Sequence, residues 1–186
     1  MTPGIYTAFL SESEVRTGSL VLRPGSVDSD WLEEAFYRSV GKRYHTRLRG
    51  GASEPFYTPA SAGGTADIHY RLDYIRSALH EVAHWCVAGG ERRRLPDYGY
   101  WYTPDGRDAM RQAAFFTVEA RPQALERLFC EALGIPFLIS ADNPGVEVDR
   151  SLLARFEDRV QGEVERFQHH GLPARARMFL QTLRGA

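Results

Sequence analysis

Ser77-Ala-Leu-His-Glu-Val-Ala-His-Trp-Cys-Val-Ala-Gly89 is the stretch on which the reading of the whole chain turns. Ala78, Leu79, Val82, Ala83, Trp85, Cys86 and Val87 make it apolar nearly all round, so the pattern predicts a central, buried helix from Ser77 to Ala88 that stops at Gly89-Gly90. Into that helix are set His80, Glu81 and His84. Residues four apart share a helix face, so the two imidazoles of this His-Glu-x-x-His pattern reach a single ion. Glu81 lies a step round the helix and can touch a water on that ion. Two histidines and a glutamate are costly to bury without a shared partner, which favours a metal over a pair of core histidines satisfied by ordinary hydrogen bonds.

A third ligand must come from elsewhere in the chain. Glu119 is the candidate, because it stands in the apolar run Ala113-Ala-Phe-Phe-Thr-Val-Glu-Ala120, where an unpaired carboxylate would be penalised. Glu126 and Glu131 are alternatives that read as exposed, and the next histidine, His169, sits in a His-His pair at a helix end. Two histidines and one carboxylate describe both the catalytic zinc of peptidases and the facial triad of non-haem iron oxygenases. The ligand set therefore leaves the reaction open. Divalent affinities place zinc and nickel above iron, so the ion found in purified material need not be the working one.

Outward from the motif, residues 67–74 lean towards a strand that precedes the helix, and residues 49–66, with Gly50, Gly51, Pro55, Pro59, Gly63 and Gly64, read as loop. A first amphipathic helix starts after Asp28 or Asp30. Helical pattern returns over 109–132 with a boundary expected near 117–122, since proline is tolerated only in a first helical turn. Two further helices are expected over 149–167 and 173–183. Residues 1–27 read as an extended arm or edge strand around Leu20-Val21-Leu22, and 28–186 as one metal-binding catalytic domain of mostly helical α+β class.

The 186 residues carry 23 basic and 24 acidic side chains, a formal charge of −1 that argues against wholesale binding to nucleic acid or an anionic membrane. No run is long enough to span a bilayer, which leads to the expectation of a cytoplasmic protein. Cys86 and Cys130 lie in apolar helical context and read as buried, reduced thiols.

Several segments together resemble the bacterial elongation factor P hydroxylase family. They are the motif helix itself, Gly99-Tyr-Trp-Tyr-Thr-Pro-Asp-Gly-Arg-Asp108, Val118-Glu-Ala-Arg-Pro-Gln-Ala-Leu125, Thr46-Arg-Leu and Glu54-Pro-Phe-Tyr-Thr-Pro59, within a likeness running from about Trp31 to Leu183. The resemblance implies a zincin-like fold and hydroxylation of a β-lysylated lysine of elongation factor P, the protein partner. It further implies iron(II) on His80, His84 and Glu119, dioxygen as co-substrate, and Glu81 in the place of the peptidase base. Arg71-Leu72-Asp73 departs from the segment expected there, and the arm before Asp28 has no counterpart. Two rivals stay open: a zinc peptidase with Glu81 as general base, and a non-catalytic domain stabilised by its metal.

The loop 97–108 offers Tyr98, Tyr100, Trp101, Tyr102, Asp105, Arg107 and Asp108, either as the mouth of a site for a long cationic side chain or as a packed turn. Arg121 and Gln123 flank Glu119 and are candidates to support it.

Overall fold

The computed structural model describes residues 27–100 and 106–185. Residues 1–26 of the expected arm, with Leu20-Val21-Leu22, and the loop residues Trp101, Tyr102 and Asp105 lie outside the described residues.

Asp28 caps the first helix, α1 (Ser29–Phe36), by accepting a hydrogen bond from the Trp31 amide at 2.8 Å, and a π-helical turn, Tyr37–Gly41, continues it. Three strands follow: β1 (Thr46–Ala52), β2 (Phe56–Thr58) and β3 (Ala66–Arg71). They form one sheet in the order β1-β3-β2, with β1 parallel and β2 antiparallel to β3. The segment read as loop thus contains most of β1 and all of β2. Its glycines mark an irregularity in β1, where the register with β3 shifts between Arg49 and Ala52, and Gly50 sits where only a hydrogen fits: a Cβ there would lie 2.7 Å from the Leu72 carbonyl oxygen and 2.8 Å from the Tyr70 hydroxyl. The side chain of Glu33 on α1 ties this corner together, accepting from the Gly50 amide at 2.8 Å and the Tyr70 hydroxyl at 2.9 Å.

The motif helix is α2 (Ile75–Val87), and it packs on β3 and on two later helices, α3 (Ala109–Leu133) and α5 (Ala174–Arg184). Between the last two runs α4 (Arg150–His170), capped by Asp149. Phe36, Trp85 and Phe179 meet edge to face with centroids 5.4 and 5.8 Å apart, locking α1, α2 and α5 into one core.

α3 runs unbroken through Pro122, against the expected boundary. Proline removes one backbone hydrogen bond and crowds the Val118 carbonyl, a cost of about 3 kcal/mol. That cost is offset because both halves are buried, Phe115, Phe116 and Ala120 before the proline and Ala124, Leu125 and Phe129 after it. The consequence reaches the site, since a single rigid helix carries Glu119 and Glu126 together.

Candidate metal centre

α2 places His80 and His84 one turn apart, and α3 packs across it and brings Glu119 to them. His80 Nε2 and His84 Nε2 lie 3.0 Å apart, and Glu119 Oε2 lies 3.5 Å from the first and 3.3 Å from the second. Among the described residues these three form the one group of histidine, cysteine and acidic side chains that could hold an ion. Their separations suit one: two donors each about 2.1 Å from an ion stand about 3.0 Å apart at a right angle and about 3.4 Å apart at the tetrahedral angle.

The polar accounting agrees. Glu119 is only 2% exposed, yet its Oε2 is buried with no hydrogen-bond partner among the described residues. A buried carboxylate oxygen without a donor, facing two imidazole nitrogens that face each other, leaves a hole that a cation fills.

Glu126 has the part that sequence reasoning missed. It is 2% exposed rather than on the surface, and its Oε2 lies 2.9 Å from His80 Nδ1. A carboxylate only accepts, so Nδ1 donates, and neutral His80 then turns a lone pair on Nε2 towards the centre. Arg76 holds Glu126 in turn, its Nη2 3.4 Å from Oε1 and 2.7 Å from the Leu138 carbonyl. The signal was present in the spacing: Glu119 and Glu126 are seven residues apart, two turns along one helix face. The neighbours Arg127 and Gln123 concealed it. Glu131 is exposed, as read.

Charge follows from this packing. Burial works against a positive His80, but the hydrogen bond and charge of Glu126, with Glu119 and Glu81 behind it, push its pKa up to about 10. Burial raises the Glu81 carboxyl against the pull of both imidazoles. For Glu119 burial is outweighed by His84, His80 and Arg107, which hold it below the usual carboxylate range. The centre is built for positive charge, whether a proton or an ion.

A family model for elongation factor P hydroxylase matches residues 35–186. A Haemophilus influenzae protein, "Elongation factor P lysine hydroxylase", is 42% identical over 152 residues, which cover 81% of this chain and 82% of that relative. The chain belongs to the elongation factor P hydroxylase family. Among the described residues of this family member, the motif helix, α3 and the turn before residue 100 all meet at the centre.

Two other residues proposed to support Glu119 do not. Arg121 is exposed and pairs with Glu163, and Gln123 is turned away, bonded through both side-chain atoms to the backbone of Ser140. They precede and follow Pro122 at angles that α3 directs to α4 and to the 137–143 segment. In the loop, Tyr98 is buried against His84, Arg107 is buried and bonded to Gln112 and Asn143, and Asp108 caps α3. Cys86 and Cys130 are buried free thiols, as expected. The divergent Leu72 and Asp73 line a separate surface cleft of about 430 Å³ with Asp30, Glu33 and His69, and none of the three donors borders it. No helix among the described residues is long and apolar enough to cross a membrane.

Proposed function

We propose that this chain is an enzyme that hydroxylates a lysine side chain of elongation factor P, the residue already extended by a β-lysyl group. The observation that carries it is the convergence of His80, His84 and Glu119 on one point in a chain so similar to a named hydroxylase. The same likeness does not favour the peptidase or a purely structural metal. Residues 28–186 form the catalytic domain and 1–27 an arm. The architecture is zincin-like, a reading supported by a small sheet running into a His-Glu-x-x-His helix and by a third donor from a later helix.

His80, His84 and Glu119 would hold the ion, iron(II) by this reading, with zinc or nickel able to replace it in purified material. Such an ion, when bound, would supply the chemistry by which one atom of dioxygen enters a C–H bond while the other leaves as water, with two electrons and two protons from an external reductant. The residues of the chain do the rest. Glu126 and Arg76 fix the tautomer and orientation of His80. α3 keeps Glu119 dry and aimed at the imidazoles. Glu81, beside His80 on α2, is the carboxylate that orients a bound water or the substrate ammonium. A translation factor as substrate puts the enzyme in the cytoplasm, with no direct contact to nucleic acid or membrane.

The test is the intact mass of β-lysylated elongation factor P after incubation in air with the iron-loaded chain and a small-molecule reductant. A gain of one oxygen atom, absent with His84→Ala, is expected. No gain from verified iron-loaded protein would sink the proposal.

A further inference from the structure

Asp97, Tyr98 and Gly99 form a left-handed turn, with φ of 48°, 57° and 68°. Glycine adopts that region freely and aspartate tolerates it, but a tyrosine does not, so Tyr98 is held there by its surroundings. The restraints are visible. The Tyr57 amide donates to the Asp97 carboxylate at 2.8 Å, the Tyr57 ring stacks on Tyr98 at 4.4 Å, and Arg92 donates to the Tyr98 carbonyl at 3.1 Å while lying over the Tyr100 ring.

This bracing delivers the Tyr98 ring to the metal centre, nearly parallel to the His84 ring, 11° between planes and 6.4 Å between centroids. Its hydroxyl is buried and has no hydrogen-bond partner among the described residues. Tyrosine hydroxyls normally find a partner when buried, and one that does not is a burden unless something else occupies the position. Burial and the negative charge of Glu81 both push the phenol's pKa up, and no hydrogen bond holds the Glu81 carboxylate among the described residues. A strained turn and an idle buried donor thus lie beside His84 at the centre, one helical turn from an idle acceptor. Strain of this kind gathers where pre-organisation is needed.

We propose that Tyr98 is a positioning residue of the metal centre, braced over His84 so that its phenol donates to the Glu81 carboxylate once that carboxylate engages a water or substrate group at the centre. The proposal rests on Glu81 being a site residue and does not depend on which substrate the chain modifies. The loop around Tyr98 is then a device that sets where Glu81 points, and the hydroxyl contributes to turnover rather than to the fold.

The test is Tyr98→Phe, which keeps the ring stack and removes only the oxygen. Three quantities are measured on the full chain: melting temperature, the visible absorption of the cobalt(II)-loaded protein, and kcat and KM for oxygen incorporation into elongation factor P. The variant is expected to melt at or above the temperature of the parent, since an unpaired buried hydroxyl has gone. Its cobalt band should shift without loss of cobalt binding, and kcat should fall about 10- to 100-fold, the range seen when a supporting group around a metal is lost, with KM unchanged. A cobalt band identical to the parent's, whatever the melting temperature, overturns the proposal. If the parent fails to modify elongation factor P while the band still shifts, the substrate assignment fails and the role of Tyr98 stands.

Discussion

Two buried polar clusters lie along α3, and they treat their polar atoms in opposite ways. Near its N-terminus, Arg107, Gln112 and Asn143 close on one another and on the backbone: Asn143 accepts from the Gly106 and Arg107 amides and donates to the Arg107 carbonyl, while Gln112 donates to the Ala141 carbonyl. Further along, Gln123 makes a two-bond clasp with Ser140. At the crossing with α2, by contrast, Glu119 Oε2 and the Tyr98 hydroxyl are buried without hydrogen-bond partners among the described residues, and two imidazoles point at each other. Buried polar groups that pair internally hold a fold together, and unpaired ones that converge with ligating nitrogens on one point mark where an ion can bind.

Substitutions can break this contrast. The largest effect is expected for Glu119→Gln, which leaves the shape but removes the anionic donor: oxygen incorporation should fall by more than the about 100-fold that loss of a supporting residue brings, read by intact mass. Wild-type turnover in this variant would remove Glu119 from the centre. Glu126→Gln ranks second, with iron(II) affinity down about 10- to 100-fold because His80 loses the acceptor that sets its tautomer. Calorimetric titration measures it, and an unchanged affinity would make Glu126 a packing residue.

Asn143→Ala should act on the other cluster, costing about 1–3 kcal/mol in denaturant unfolding because two amides and a carbonyl lose their partner. Iron affinity should not change, and a joint loss of both would erase the distinction between the clusters. The smallest effect concerns pH. His80 is raised to about 10 when no ion is bound, so its charged form stabilises the metal-free protein fully below about 6.5, and that contribution is lost as pH rises towards 10. An ion must displace the same proton, so affinity should rise with pH across this window, with about one proton released per ion. Titration in buffers of different ionisation heat reads that release, and none at pH 7.5 would contradict the charge assigned to His80.

Much of this was legible in the residues. The motif helix, the start of the first helix after Asp28, and the grouping of His80, His84 and Glu119 follow from spacing and from the cost of burying charge. The strands over 46–58 were hidden because Gly50, Gly51 and Pro55 carry loop chemistry, and only pairing with β3, distant in sequence, makes them strands. The continuity of α3 through Pro122 depends on what packs against it, which no local rule contains. Glu126 was legible by its seven-residue spacing from Glu119 but was obscured by polar neighbours. The left-handed turn at Asp97–Gly99 has no sequence signal beyond one glycine, because its restraints come from Tyr57 and Arg92.

The most direct measurement is anaerobic titration of the metal-free chain with iron(II), beside Glu119→Gln, His84→Ala and Asn143→Ala. One ion per chain is expected for the parent and for Asn143→Ala, and none held at comparable affinity by the other two. Binding undiminished in Glu119→Gln and His84→Ala, or no binding by the parent, would contradict the assignment of the unpaired buried atoms at the α2–α3 crossing to a metal.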